Sequence, residues 1–319
     1  MHELFQFYPQ LDKWQSQNKG IAIATVTATW GSAPRRPGAI MAITDDMQMI
    51  GSVSAGCVES AVIEEAQAVI KSQHPKALHY GITDEIALDV GLACGGEINI
   101  YLQPYPQELH AQIADYIQAE QAFSWHSIET ENSFQQFLST ETINYPVSVI
   151  KTDDASTTVI QKISPPLNLI IVGGNHIAVA LSQLAKVMGY GVILIDPRMA
   201  FATKERFQQV DHILNDYPHR VFPQININSS TAIAILAHDP KIDDIALELA
   251  LQSSAFYVGA LGGRKTQHIR RERLKQMGLS SQQIERLHAP IGLSIGAETP
   301  EQIALSILAE IVAIQNTGG

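Results

Sequence analysis

Two cysteines, Cys57 and Cys94, sit in settings unlike those of packing cysteines. Cys57 follows the small-residue run Gly51-Ser52-Val53-Ser54-Ala55-Gly56 and precedes Val58-Glu59. Cys94 lies in Gly91-Leu92-Ala93-Cys94-Gly95-Gly96-Glu97. A cysteine's ordinary place is as a small buried hydrophobe. A glycine-rich turn instead lets a bulky ligand approach the backbone. Helical spacing begins right after Cys57, with Val58, Ala61, Val62, Ala66 and Val69 on one face. That spacing puts Cys57 at a helix N-terminus, a place that favours a thiolate and offers free backbone N–H groups to an anion. Glu59 falls in the first turn, where a carboxylate suits the helix dipole. Ser54, Gly56, Glu59, Gly95 and Gly96 are therefore candidate ligand contacts beside the two thiols.

Other residues point to anions. Arg35 and Arg36 stand together between Pro34 and Pro37, and the planar guanidinium fork matches phosphate or carboxylate; the plain alternative is a solvated turn. Further along, Asn168-Leu169-Ile170-Ile171-Val172 reads as a buried parallel strand. Gly173, Gly174, Asn175 and His176 follow it and open a helix; a second strand then ends at Asp196-Pro197-Arg198. This is a βαβ unit with an acidic residue near the fingerprint distance for a dinucleotide. The match is partial, because Asn175 replaces the glycine that lets backbone approach a pyrophosphate and its side chain takes up space. The loop Gly259-Ala260-Leu261-Gly262-Gly263-Arg264-Lys265 lies at a strand-to-helix junction, the ligand-facing edge of an open α/β sheet. Gly262 and Arg264 are its phosphate-binding candidates.

The elements that position these residues follow from periodicity. A helix is expected over 3–18, broken or started late by Pro9. Strands are expected at 21–27, 39–44 and 47–53, and a helix from Cys57 to about Ser72. Strands at 77–82 and 97–102 flank Cys94, a helix covers 107–121, and 122–163 holds several short β-rich runs. Pro165-Pro166 is a stiff break, placing a first domain at 1–164 and a second at 165–319. After it, strands at 232–236 and 256–258 enclose a helix near 242–252. Thr299-Pro300-Glu301-Gln302 opens a last helix with an N1 proline and capping-box spacing. The fold class is α/β: an N-terminal α/β domain with two glycine-rich cysteine turns, and a C-terminal Rossmann-like parallel-sheet domain.

Composition bounds the partners. The formal net charge of −11 argues against a nucleic-acid or anionic-membrane surface as the main partner. The first 20 residues lack the basic and apolar regions of a signal peptide. No apolar run reaches the roughly 20 residues of a membrane span. A cytoplasmic protein with reduced cysteines is expected. The histidines are scattered and do not cluster as metal ligands. No Gly-x-Ser-x-Gly elbow or Walker-type loop is present, so hydrolase and P-loop readings fall away.

Taken together, TWGSAPRRPGAIM (29–41), GSVSAGCVESA (51–61), GLACGGEINIYL (91–102), IIVGGNHIAVAL with ILIDPR (170–198), YVGALGGRKT (257–266) and HAPIGLSIGAETPEQIALSILAEI (288–311) resemble the xanthine dehydrogenase accessory proteins, the XdhC/CoxI family. They span nearly the whole chain in the family's order. The resemblance implies a chaperone that binds molybdenum cofactor, a pterin dithiolene (molybdopterin) with a phosphate tail. It implies help with sulfuration, with a cysteine desulfurase-type sulfur donor, and delivery to a xanthine dehydrogenase-type molybdoenzyme. It also implies a homodimer without turnover of its own. Cys57 and Cys94 match the family's cysteine motifs and are expected in one pocket at the molybdenum end. Gly173, His176 and Asp196 match its Rossmann motif. Asn175 and Ala55 stand where the family usually has glycine.

Two other classes compete with a chaperone. One is an NAD(P)-dependent oxidoreductase built on the Rossmann half. No proton donor for it is evident, since His176 at a helix start suits phosphate proximity or packing. The other is a nucleotide-sensing interaction module in which the cysteines only pack.

Overall fold

The computed structural model describes residues 3–31, 34–81, 96–141, 143, 145–152 and 156–317. The chain divides into two compact units, Met1–Pro165 and Pro166–Gly319. No helix among the described residues is long and apolar enough to cross a membrane.

In the first unit, β-branched and small apolar residues alternate along β1 (Ile21–Trp30), the middle strand of an antiparallel sheet. The sheet order is β3-β2-β1-β5-β4, with β2 at Ile40–Thr44, β3 at Met49–Gly51, β4 at Lys76–Tyr80 and β5 at Glu97–Pro104. The period of two along a strand divides β1 between two cores. Ala22, Ala24 and Val26 meet Val62, Ala66 and Val69 of the helix Glu59–Ser72. Ile21 and Ile23 belong to a second core with Leu4, Leu11 and Trp14 of the helix Glu3–Ser16. Residues 123–163 form a second antiparallel sheet, β7-β6-β9-β8, from β6 (Phe123–Glu129), β7 (Phe134–Ser139), β8 (Val147–Lys151) and β9 (Thr157–Ile163). Buried polar bonds join the two sheets: Thr25 Oγ1 donates to Gln161 Oε1 at 3.1 Å, and the Ser127 hydroxyl donates to Gln103. Of the three tryptophans, Trp14 and Trp125 are 2% and 1% exposed, whereas Trp30 at the end of β1 is 52% exposed.

Four local expectations are corrected. Pro9 neither breaks nor delays the first helix, which runs unbroken over Glu3–Ser16. Burial of Leu4, Phe5, Phe7, Leu11 and Trp14 outweighs one missing amide. The strand expected over 47–53 stops at Gly51, and the helix expected from Cys57 starts at Glu59. Both ends move because the backbone between them bonds to side chains instead. The helix expected over 107–121 is a 3-10 turn at Gln107–Leu109 followed by a helix at His110–Gln118.

The second unit is an all-parallel sheet in the order β12-β11-β10-β13-β14-β15. Its strands are β10 (Asn168–Val172), β11 (Gly191–Ile195), β12 (His212–Leu214), β13 (Thr231–Ile235), β14 (Tyr257–Ala260) and β15 (Leu287–His288). One face packs on Leu181 and Ala185 of the helix His176–Val187 and on Ala304, Ile307 and Ile311 of the helix Pro300–Thr317. The other packs on Ala246, Leu247 and Ala250 of the helix Pro240–Gln252 and on Leu274 of the helix Arg264–Gln276. Helices on both faces explain why the central strands are apolar throughout. This is a Rossmann-like architecture, with the order reversing between β10 and β13.

Candidate functional site

The stretch between β3 and the helix Glu59–Ser72 folds around the Glu59 carboxylate. Oε1 accepts from the Ser52 hydroxyl at 2.6 Å, the Val53 amide at 3.2 Å and the Ser54 amide at 2.9 Å. Oε2 accepts from the Ser54 hydroxyl and from the Gly56 amide at 2.9 Å. The two hydroxyls then pass the contact onward. Ser52 Oγ accepts from the Ala55 amide at 2.8 Å, and Ser54 Oγ accepts from the Cys57 and Val58 amides at 3.0 and 2.9 Å. Glu59 is only 7% exposed. Burial opposes its charge, but the hydrogen bonds from Ser52, Ser54 and the backbone prevail and hold the carboxyl down at about 2. The amides leading into the helix are thus not free for an incoming anion: Glu59 takes those of Val53, Ser54 and Gly56, and the Ser54 hydroxyl those of Cys57 and Val58.

Cys57 is left half-buried, beside Val58 and against the core under the helix. Ala55 and Gly56 carry positive φ values of 60° and 114°. Among the described residues, nothing lies within 4 Å of a Cβ placed on Gly56. The tight backbone comes from the chain's own bonding.

The two arginines part company. Arg35 Nε donates to the Ser52 carbonyl at 3.1 Å, and its Nη2 pairs with Glu3. Glu3 also accepts from the Ile40 amide at 2.8 Å. The Arg35 fork therefore faces inward and ties the 34–39 loop to the Cys57 turn, whereas Arg36 is exposed. An anion clamp made of both guanidinium groups does not form. Glu3, 32 positions before Arg35, carried no local sequence signal for this role.

Register shows which loops share an end of the sheet. Trp30 lies opposite Glu97, Tyr80 opposite Ile98, and Gly51 opposite Met41 near the start of β2. The ends of β1, β3 and β4 and the starts of β2 and β5 thus point the same way. The Arg35–Arg36 loop, the Cys57 turn and the connection from Gly81 to Gly96 all leave from that end. Gly96 is buried at the start of β5. Cys94 and Gly95 lie outside the described residues, so the expected pairing of the two thiols does too. Among the described residues, no group of three or more His, Cys, Asp and Glu side chains is placed to hold a metal ion.

In the second unit the nucleotide candidates bond mainly to one another. Gly174 N donates to Asp196 Oδ2 at 2.8 Å. Arg198 adds its amide and Nε to Oδ1, each at 2.9 Å, and its Nη2 to Oδ2 at 2.8 Å. Both oxygens of Asp196 are doubly engaged, and the residue is fully buried. Burial pushes this carboxyl up, but Arg198 and the two amides outweigh it and hold it below the usual carboxylate range. Asn175 caps the helix His176–Val187 by accepting from the Ala178 amide, and its Nδ2 donates to Leu236 at the end of β13. Its side chain therefore spans the turn where the strand order reverses. A Cβ on Gly173 would lie 2.3 Å from the Ala237 amide nitrogen, and one on Gly174 2.4 Å from the Phe201 carbonyl. These glycines serve close packing of the chain on itself. His176 is exposed on the first helical turn.

Two clusters that sequence reasoning missed hold the neighbouring loops. Gln267 Nε2 donates to the Gly262 carbonyl at 3.0 Å, and Arg270 Nη1 to the Leu261 carbonyl at 2.9 Å. Arg270 also forms a buried pair with Asp243 at 3.1 Å. Arg264 begins the helix that follows Gly263. On the other face of the sheet, Glu310 accepts from the Tyr257 hydroxyl at 2.5 Å and the Gly292 amide at 2.8 Å, with His288 Nδ1 at 3.7 Å. Glu310 carried a sequence signal, a charge on the helical face that Ile303, Ile307 and Ile311 otherwise fill, whereas Arg270 lies in a helix rich in charge throughout and carried none.

The structure is thus that of a two-unit protein, a thiol-bearing α/β unit and a Rossmann-like unit. Residues 14–81 match the family model described as the XdhC and CoxI family, and residues 169–311 match the XdhC Rossmann domain. The chain belongs to the XdhC and CoxI family. The first match includes Arg35, Arg36, Cys57 and Glu59; the second includes Asn175, Asp196 and Arg270. A Bacillus subtilis (strain 168) protein described as a probable subunit of xanthine dehydrogenase is 26% identical over 326 residues, covering 96% of this chain and 96% of its own length. The molybdenum cofactor insertion chaperone PaoD of Escherichia coli (strain K12) is 27% identical over 307 residues, covering 93% of this chain and 84% of its own. The crystal structure of a xanthine dehydrogenase from Bacillus halodurans shares the fold, with a TM-score of 0.67 at 24% identity over 100% of this chain and 97% of that one.

Proposed function

We propose that this protein is a molybdenum cofactor insertion chaperone serving a xanthine dehydrogenase-type molybdoenzyme. The observation that carries the reading is the placement of Cys57. The residue is half-buried on a turn fixed by Glu59, at the sheet end from which the Arg35–Arg36 loop and the Gly81–Gly96 connection also leave. The cofactor is cargo here. The residues present suit it: a soft thiol for a molybdenum or sulfur centre and an exposed guanidinium, Arg36, for a phosphate tail. In this reading Cys94 and Gly95, which lie outside the described residues, serve the same cargo together with Gly96.

The names of the relatives support the chaperone class. Sulfuration of the bound cofactor, with sulfur from a cysteine desulfurase-type donor, belongs to the same reading, as does a cytoplasmic homodimer. The Rossmann half acts as scaffold. Asn175 spans its crevice, and Asp196 offers no free oxygen to a ribose, so NAD(P) turnover finds no support in the geometry.

The test is purification from cells that make molybdenum cofactor, followed by assay of bound pterin and molybdenum. Near-stoichiometric cargo is expected in the wild type, with both Cys57→Ala and Cys94→Ala losing it. A wild-type protein that is empty when cofactor is plentiful overturns the reading.

A further inference from the structure

We infer that Glu59 is a positioning residue that acts on Cys57 through the Ser54 hydroxyl, and that it makes no contact with cargo itself. The inference deepens the proposed function and rests on it for the role of the thiol. The carboxylate is 7% exposed and takes five hydrogen bonds, all from its own turn. Its capacity as an acceptor is spent within the fold.

Two parallel relays leave it. Ser52 passes the contact to the Ala55 amide, and Ser54 passes it to the amides of Cys57 and Val58. Ser54 uses its one donor on Glu59 and accepts from two amides, so its hydroxyl can turn nowhere else. Only the Ser54 branch reaches Cys57. The Ser54 hydroxyl thereby satisfies the two amides that precede the helix. Arg35 braces the turn from outside through the Ser52 carbonyl. The turn before the helix is therefore built around an anion of its own, which takes the Val53, Ser54 and Gly56 amides.

The serines make a matched pair for a test. In a Cys94→Ala background Cys57 is the sole cysteine, and its alkylation by iodoacetamide at fixed pH reports how the thiol is held. Ser54→Ala and Glu59→Gln are expected to raise that rate by about tenfold, the population shift from losing a charge-assisted hydrogen bond. Ser52→Ala removes the same kind of donor from Glu59 but spares the Cys57 amide, and is expected to change the rate less than about twofold. Denaturant midpoints are measured for all three. Should Glu59→Gln not fold, the contrast between Ser54→Ala and Ser52→Ala decides.

Wild-type alkylation rates in a folded Ser54→Ala protein, or equal effects of the two serine variants, overturn the inference. Cargo is read separately. Retention of pterin and molybdenum by Cys57→Ala overturns the chaperone reading and leaves the alkylation result standing. Loss by Cys57→Ala with full retention by a folded Ser54→Ala overturns the positioning role alone.

Discussion

Asn175 Nδ2 donates to the Leu236 carbonyl at 2.9 Å while its Oδ1 accepts from the Ala178 amide at 2.9 Å. One side chain thus caps a helix and joins the turn after β10 to the end of β13. Dinucleotide-binding folds leave this place open for a pyrophosphate. Here the protein fills it.

Asn175→Ala removes both bonds. The loss of the cap alone costs about 1 kcal/mol, and the freed Leu236 carbonyl adds to it, so a Tm lower by several degrees is expected by calorimetry. Asn175→Gly restores the glycine of the fingerprint. Isothermal titration of that variant with NAD is expected to show no binding, since Asp196 remains held by Arg198 and Gly174. Micromolar affinity would show that Asn175 alone closes the site.

Glu59 gives the first unit an acid limit. Its folded carboxyl lies at about 2 against an ordinary 4.5. A depressed carboxyl stabilises the folded state above the ordinary value and loses that contribution as pH falls from 4.5 toward 2. The full contribution is on the order of 3 kcal/mol. Urea titrations from about pH 2 to neutrality are expected to show a steep acid limb in the wild type, flattened in Glu59→Gln. Parallel limbs would remove Glu59 as its source.

The Arg270–Asp243 pair works in the opposite direction. Burial pushes the Asp243 carboxyl up to about 6 despite the facing guanidinium, and burial likewise lowers Arg270. A raised carboxyl stabilises the folded state below its ordinary value of 3.8, and that contribution is lost as pH rises through about 6. Asp243→Asn abolishes this descent and strands a buried cation. Arg270→Met strands the carboxylate and is expected to cost about 3–5 kcal/mol at neutral pH. A cost below about 1 kcal/mol would mean the pair is far better hydrated than its burial implies.

Gly173 and Gly56 both hold positive φ, at 106° and 114°, for different reasons. Gly173 lies against Ala237, so Gly173→Ala adds a backbone collision to the conformational strain. Gly56→Ala meets no neighbour among the described residues and bears strain alone, about 1–2 kcal/mol. Thermal unfolding is expected to show the Gly173 change as clearly the more damaging.

Much of this architecture is legible in one chain. The apolar run 168–172, the helix after it and the Thr299 cap announce the parallel sheet, because period, cap and burial agree there. The Cys57 turn was legible as a turn but not as a bonded unit. Its strand and helix ends move because Glu59 takes the amides of Val53, Ser54 and Gly56, a choice that only three-dimensional closure reveals. Arg35 illustrates the same limit, since its partner Glu3 is remote in sequence. Pro9 shows the reverse, a strong local signal overridden by the burial of five apolar side chains.

Trp30 closes β1 with half its surface bare, whereas Trp14 and Trp125 are sealed in cores. The chain therefore carries its own optical label at the end of the sheet from which the thiol turn departs. Iodide is expected to reach one indole in three and to remove the red-shifted fraction of the emission. A molecule settling over that end is expected to shield the same fraction from iodide, so occupancy there can be followed on the unmodified protein.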